Sequence, residues 1–255
     1  MTRKIIFLSH ISEEGSLASL IKDRLEADFL SLIEVFVSSD TRSIPPGDAW
    51  LKAVDQNLSQ ASALIVLASP ESVRRPWITF ETGAGWARKV PTIILCHSGM
   101  SPGVLPLPLG QLQSFQPSDL TRLQAMYGVI ASVLGSATPN ADLTSLSQDI
   151  RAFEIKHTEA RDILSTLKAL KEIDPWIIDF LKQIEPGNTG VVRDHDESLF
   201  RKIENHLSLL KARGLIGYTY SINGVGFALP GQPGGGNFGD LIIQMSAPLA
   251  QALRS

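Results

Sequence analysis

The sequence predicts an α/β fold for its first half: a five-stranded parallel sheet with helices on both faces. Short apolar runs recur as continuous blocks, the pattern of strands buried on both sides. The stretches between them place apolar residues at helical spacing. This strand-helix alternation repeats from the first residues to about position 135.

In order, Ile5-Ile6-Phe7-Leu8 reads as the first strand, and Leu17, Leu20, Ile21 and Leu25 mark the helix after it. Val35-Phe36-Val37 is a second strand, leading into a loop at 38–47 that holds two prolines and a glycine. Trp50, Ala53, Val54 and Leu58 share one face of the next helix, and residues 63–68 (Ala-Leu-Ile-Val-Leu-Ala) form the strongest central-strand segment. Pro76 opens a helix where its missing N–H costs little. Thr92-Ile93-Ile94-Leu95 follows as a strand and 112–115 as an edge strand. A helix bearing Leu120, Leu123, Tyr127, Ile130 and Leu134 closes the unit. Right-handed crossovers make such a sheet parallel, and parallel sheets bind ligands outside the carboxyl ends of their strands. Ser9-His10, the 38–47 loop and the segment after Ala68 are therefore expected around one mouth.

The 255 residues carry a net charge of −3, which argues against a general electrostatic grip on nucleic acid or anionic lipid. One cysteine, Cys96, allows no internal disulfide and points to a reducing, cytoplasmic compartment. The apolar run at the N-terminus breaks at Ser9-His10, too early for a signal peptide, and no stretch is long enough to span a bilayer. No metal-ligand cluster is evident. Gly234-Gly235-Gly236 lacks the strand-to-helix setting of a phosphate cradle and reads as a loop.

The second half is a different object. Residues 135–140 read as a linker. Leu143, Leu146, Ile150, Phe153, His157, Ala160, Leu164 and Leu167 then step by threes and fours. This seam fits a self-associating coiled coil, or equally a long helix packed on its own domain. Asp174-Pro175 starts another helix carrying Trp176, Ile177, Phe180, Leu181 and Ile184. A Gly- and Asp-rich loop, a helix near 196–213, strands at 226–229 and 241–245, and a short helix capped by Ser246 complete the reading. The expected division is 1–135, a linker helix at 141–172, and a small α+β domain at 173–255.

Three segments together resemble the TIR (Toll/interleukin-1 receptor) family. They are Phe7-Leu8-Ser9-His10 leading to Glu13-Glu14; Ile44-Pro45-Pro46-Gly47-Asp48-Ala49-Trp50, similar to the family's BB loop; and Leu67-Ala68-Ser69-Pro70 followed by Trp77-Ile78-Thr79-Phe80-Glu81. Arg74-Arg75-Pro76 departs from the family, where many relatives carry a serine before the tryptophan. The resemblance implies a flavodoxin-like fold and, for the bacterial NAD-cleaving type, NAD⁺ as substrate with no separate cofactor. Glu81 would be catalytic, and Ser9, His10, Ser43, Ile44, Gly47, Trp50 and Trp77 would bind substrate. It also implies homo-oligomers built through TIR–TIR contacts, to which the 143–167 helix would add, and a role in antiviral defence or cell death. The C-terminal part partly resembles a winged helix, although its middle helix is hard to find. Ten Lys/Arg against eleven Asp/Glu from Thr158 to Ser255 make a trigger ligand or partner protein a better expectation there than nucleic acid.

The chemistry favours Glu81. Trp77 and Glu81 stand one helical turn apart on one face. Breaking the nicotinamide–ribose bond develops positive charge on the sugar, which a carboxylate stabilises, and nicotinamide leaves neutral, so one carboxylate suffices. The plain alternative for Glu81 is a solvated residue near a helix start. His10 reads equally as a surface histidine, Trp50 as core, and the 38–47 loop as a rigid turn. Two other functions compete with the enzyme: a non-catalytic TIR adaptor, and a winged-helix regulator whose TIR domain serves self-association.

Overall fold

The computed structural model describes residues 3–37, 48–225 and 237–254. The chain divides into two compact units, Met1–Thr158 and Glu159–Ser255.

In the first unit, strands β1 (Lys4–Ser9), β2 (Ile33–Val37), β3 (Ala61–Ala68), β4 (Thr92–Cys96) and β5 (Gln113–Phe115) form one sheet in the order β2-β1-β3-β4-β5. Every pairing is parallel. This is the flavodoxin-like doubly wound order, whose direction of growth reverses between β1 and β3. The helices are α1 (Gly15–Asp28), α2 (Asp48–Gln60), α3 (Pro76–Ala87) and α4 (Leu120–Leu134).

Because successive residues of a strand face opposite ways, the buried runs feed two cores. Ile6, Leu8, Val35, Ile65, Leu67 and Leu95 pack with Leu17, Ile21 and Leu25 of α1 and with Leu123, Tyr127 and Ile130 of α4. Phe7, Leu64, Val66 and Ile94 point the other way, onto Val54 and Leu58 of α2 and Ile78 of α3.

Helix α5 (Leu143–Ile173) changes the reading of the heptad-like seam. Leu143, Leu146 and Ile150 are buried within the first core, with Phe153 packed against it, while Leu167 and Leu170 are buried in the core of the second unit. Ala160 and Leu164 are exposed, the latter at 61%. The apolar positions that suggested a coiled coil thus serve intrachain cores, the alternative the same spacing allowed. The stripe is interrupted where the chain passes from one unit to the other.

The second unit contains α6 (Pro175–Gln183), β6 (Thr189–Asp196), α7 (Glu197–Ala212), β7 (Ile216–Val225), β8 (Asn237–Met245) and α8 (Ala247–Arg254). Its three strands form an antiparallel sheet in the order β6-β8-β7. The Gly- and Asp-rich segment expected as a loop is therefore strand β6. Asp196 ends it and caps α7 by accepting from the Ser198 and Leu199 amides. The expected strand at 226–229 lies outside the described residues, and β7 precedes it. One helix, α7, lies between β6 and β7, so the described residues contain no helix-turn-helix between those strands. No helix among the described residues is long and apolar enough to cross a membrane.

The packing of α5 sets a test. Ile150 is fully buried, so Ile150→Ala should cost about 2–5 kcal/mol of unfolding free energy. Leu164→Ala, on the exposed stretch, should fall within about 0.5 kcal/mol of the parent. Urea unfolding followed by tryptophan fluorescence measures both; equal midpoints for the two variants would return the 143–167 stripe to the status of a free surface.

Candidate functional site

The site lies where the sheet reverses its direction of growth. Ser9 is the last residue of β1, and the segment after β3 begins at Ser69. Helix α3 runs past this point, with Arg75 as its N-cap and Pro76 at its first position.

Three of the residues expected from sequence meet here. Ser9 Oγ donates to Glu81 Oε2 at 2.5 Å, and Trp77 Nε1 donates to Glu81 Oε1 at 2.8 Å. Each carboxylate oxygen is thus held by one neutral donor. The Glu81 side chain is fully buried, which removes the solvated-surface alternative. No cation contacts it among the described residues. Burial pushes its carboxyl up to about 7 despite the downward pull of the Ser9 and Trp77 hydrogen bonds.

His10 follows Ser9 and is buried. Its Nδ1 lies 3.3 Å from the Leu8 carbonyl oxygen, a pairing that requires the proton on Nδ1. Burial holds its imidazole below the usual value. Trp50 falls in α2, but its side chain lies outside the described residues, as do Ser43, Ile44 and Gly47.

A second carboxylate, Glu14, went unassigned in the sequence. It is fully buried on the 3-10 turn Ser12–Glu14. Its Oε1 accepts from Ser69 Oγ at 2.6 Å and lies 3.2 Å from His97 Nε2. The latter approach is close in distance but not aligned as a hydrogen bond, since that nitrogen has no partner by geometry. Glu14 Oε2 accepts from the Ile11 amide at 3.2 Å. Burial alone would raise the Glu14 carboxyl, but His97, Ser69 and Ile11 together bring it below the usual range. One carboxylate therefore ties the segments that follow β1, β3 and β4.

Helix α5 reaches the same place. The Ser98 amide donates to Glu154 Oε1 at 3.0 Å, and the His97 ring lies 6.0 Å from that of Phe153 and 6.3 Å from that of His157. A usable signal for His97 was present in the sequence, because it directly follows an apolar strand as Ser9 and His10 do. On the rim, Arg75 pairs with Glu13 at 2.9 Å. Among the described residues no group of three or more His, Cys, Asp or Glu could hold a metal ion.

Residues 6–127 match the family described as TIR domain. Among solved structures, the chain is similar to a metazoan TIR-STING receptor from C. gigas in complex with 2′,3′-cGAMP. Identity is 15%, the TM-score is 0.38, and the match covers 86% of this chain and 63% of that one, less than two thirds of its length. No curated protein matches the sequence.

The raised Glu81 carboxyl predicts a stability cost with a definite sign. In the unfolded chain this group titrates near 4.5, and in the folded chain at about 7. Above pH 7 the folded state carries the full penalty of a buried charge, on the order of 3 kcal/mol. The penalty is relieved as pH falls from 7 toward 4.5. Glu81→Gln should therefore be more stable than the parent at pH 8, by about 1–3 kcal/mol, with the advantage vanishing near pH 5. Urea midpoints across this range test it. Identical midpoints at pH 8 would mean that burial does not strain the carboxylate.

Proposed function

Taking residues 6–127 as a TIR domain, we propose that this chain cleaves NAD⁺ at the bond between nicotinamide and ribose, with Glu81 as the catalytic carboxylate. The observation that carries the reading is a fully buried carboxylate held at both oxygens by neutral donors, Ser9 and Trp77, with no cation against it among the described residues. A charge so held is available to a cation that forms only during reaction.

As the bond to nicotinamide lengthens, its electron pair moves to the pyridine nitrogen and positive charge gathers on ribose C1′. Glu81 supplies the compensating charge. Nicotinamide leaves neutral. Water then bonds C1′ and loses a proton to give ADP-ribose, or a nucleophile within the ADP-ribose closes a cyclic isomer. Ser9 and Trp77 fix the carboxylate before substrate arrives, so little reorganisation accompanies the charge development. NAD⁺ is substrate here, and the reaction needs no other cofactor. The cellular role that suits this chemistry is an antiviral or cell-death effector assembled through TIR–TIR contacts, its second unit answering to a trigger ligand or partner protein.

A scaffold without catalysis is the second reading. It is favoured by one fact: Ser9 and Glu81 are both fully buried, so substrate must displace something to reach the carboxylate.

Incubating the pure protein with NAD⁺ and following nicotinamide by chromatography separates the two. Glu81→Gln should lower release by about a hundredfold or more while keeping the fold. Because the anion is the working form and the carboxyl titrates at about 7, the parent rate should climb about tenfold from pH 6 to pH 8 and then level. Release by Glu81→Gln at the parent rate would remove the catalytic assignment, and absence of release at every protein concentration would leave the scaffold.

A further inference from the structure

Helix α3 carries a feature that the NAD⁺ reading does not use. A pocket of about 340 Å³ lies against it, lined by Thr82, Gly83, Trp86, Pro108, Gln111 and Leu112. Thr82, Gly83 and Trp86 stand roughly 100–200° around the helix from Glu81, so the pocket belongs to another face. Its size is at the lower end of the ~300–1,000 Å³ typical of small-molecule sites.

The two glycines of α3 separate packing from function. A Cβ on Gly85 would come within 2.6 Å of Leu64 Cδ2, so close contact between helix and sheet accounts for Gly85. A Cβ on Gly83 would meet nothing within 4 Å. A glycine inside a helix is unfavourable relative to alanine, and here no neighbour requires it. What its missing side chain leaves open is the pocket. Beside it, Trp86 is 68% exposed, a large apolar ring left in water.

The lining also restricts the occupant. Trp86, Pro108 and Leu112 offer flat apolar walls, and no cation lines the pocket among the described residues, which favours an uncharged ring over a phosphate. The Thr82 hydroxyl already donates to the Ile78 carbonyl. Among the described residues the Gln111 side-chain amide makes no hydrogen bond, and it carries a donor and an acceptor side by side. An indole face stacks on a heteroaromatic base, and a glutamine amide matches the adjacent donor and acceptor on the edge of adenine.

We propose that this pocket binds the adenine ring of a nucleoside or nucleotide, separately from the carboxylate site. The proposal does not rest on the NAD⁺ reading, because adenosine lacks the nicotinamide–ribose bond on which that reaction acts.

Isothermal titration of the full chain with adenosine, and with ribose as the control lacking a base, tests it. Saturable binding of adenosine and none of ribose is expected. Gly83→Leu should fill the pocket and weaken binding at least about tenfold. Gln111→Ala should weaken it by a similar factor through loss of edge recognition. Gly83→Ala, which meets no neighbour, should raise Tm and serves as the folded control. Absence of saturable binding at millimolar adenosine would overturn the proposal. So would binding unchanged in both Gly83→Leu and Gln111→Ala, or a parent dimer that Trp86→Ala converts to monomer, since this face would then cover a second copy.

Discussion

The structure depends on how it treats two carboxylates withdrawn from water at the mouth of one parallel sheet. Burying an ionised carboxylate is costly unless hydrogen bonds and charge replace the lost solvent. At Glu14 the replacement is ample: a hydroxyl, a backbone amide and an imidazole surround it, and its charged form wins. At Glu81 two neutral donors replace the solvent only in part, and desolvation wins. The two groups are thus driven in opposite directions by their surroundings. The dependence runs one way. Glu14 ties the loop that follows β1, and β1 ends at Ser9, the hydroxyl that holds Glu81.

Helix α5 enters this arrangement as part of the domain. Its first turns complete the core under α1 and α4, and two turns on it meets the segment after β4 through Glu154, Phe153 and His157. The unit that holds the site therefore extends past position 135, and a fragment ending there would uncover the apolar surface that Leu143, Leu146 and Ile150 bury. It would also leave the Ser98 amide without Glu154. Any movement of this helix acts on His97, and through it on the environment of Glu14.

The sheet was legible because its inner strands β1, β3 and β4 are largely apolar runs whose burial needs no knowledge of their partners, and the helices between the strands repeat at one period. The pairing of Trp77 with Glu81 was legible because it is local, four residues along one helix. Glu14 was not, since a glutamate reads as solvated until strands distant in sequence close around it; the place of His97 at the end of β4 was visible, but its approach to Glu14 was not. Strand β6 was hidden for a related reason. Arg193-Asp194-His195-Asp196 looks like a loop, and its strand character comes from pairing with β8, where Val191 faces Ile242 and His195 faces Gly239 across an irregular register. In α5 the spacing was visible, but three-four periodicity is the same for a coiled coil and for a helix on its own core. Only the tertiary neighbours decide.

Helix α3 concentrates these constraints within twelve residues. A helix of 3.6 residues per turn presents about three usable faces, and here each has a different surrounding. Trp77 and Glu81 turn to the mouth. Ile78 packs into the core beneath the sheet, and Gly85 lets the helix approach Leu64. Gly83 and Trp86 open onto the pocket. The helix cannot rotate to improve one face without spoiling another, because Gly85 has no clearance and the Glu81 oxygens are both engaged. Rigidity at the carboxylate is thus a consequence of packing one turn away. A substitution that loosens Gly85 against Leu64 acts on Glu81 without touching it.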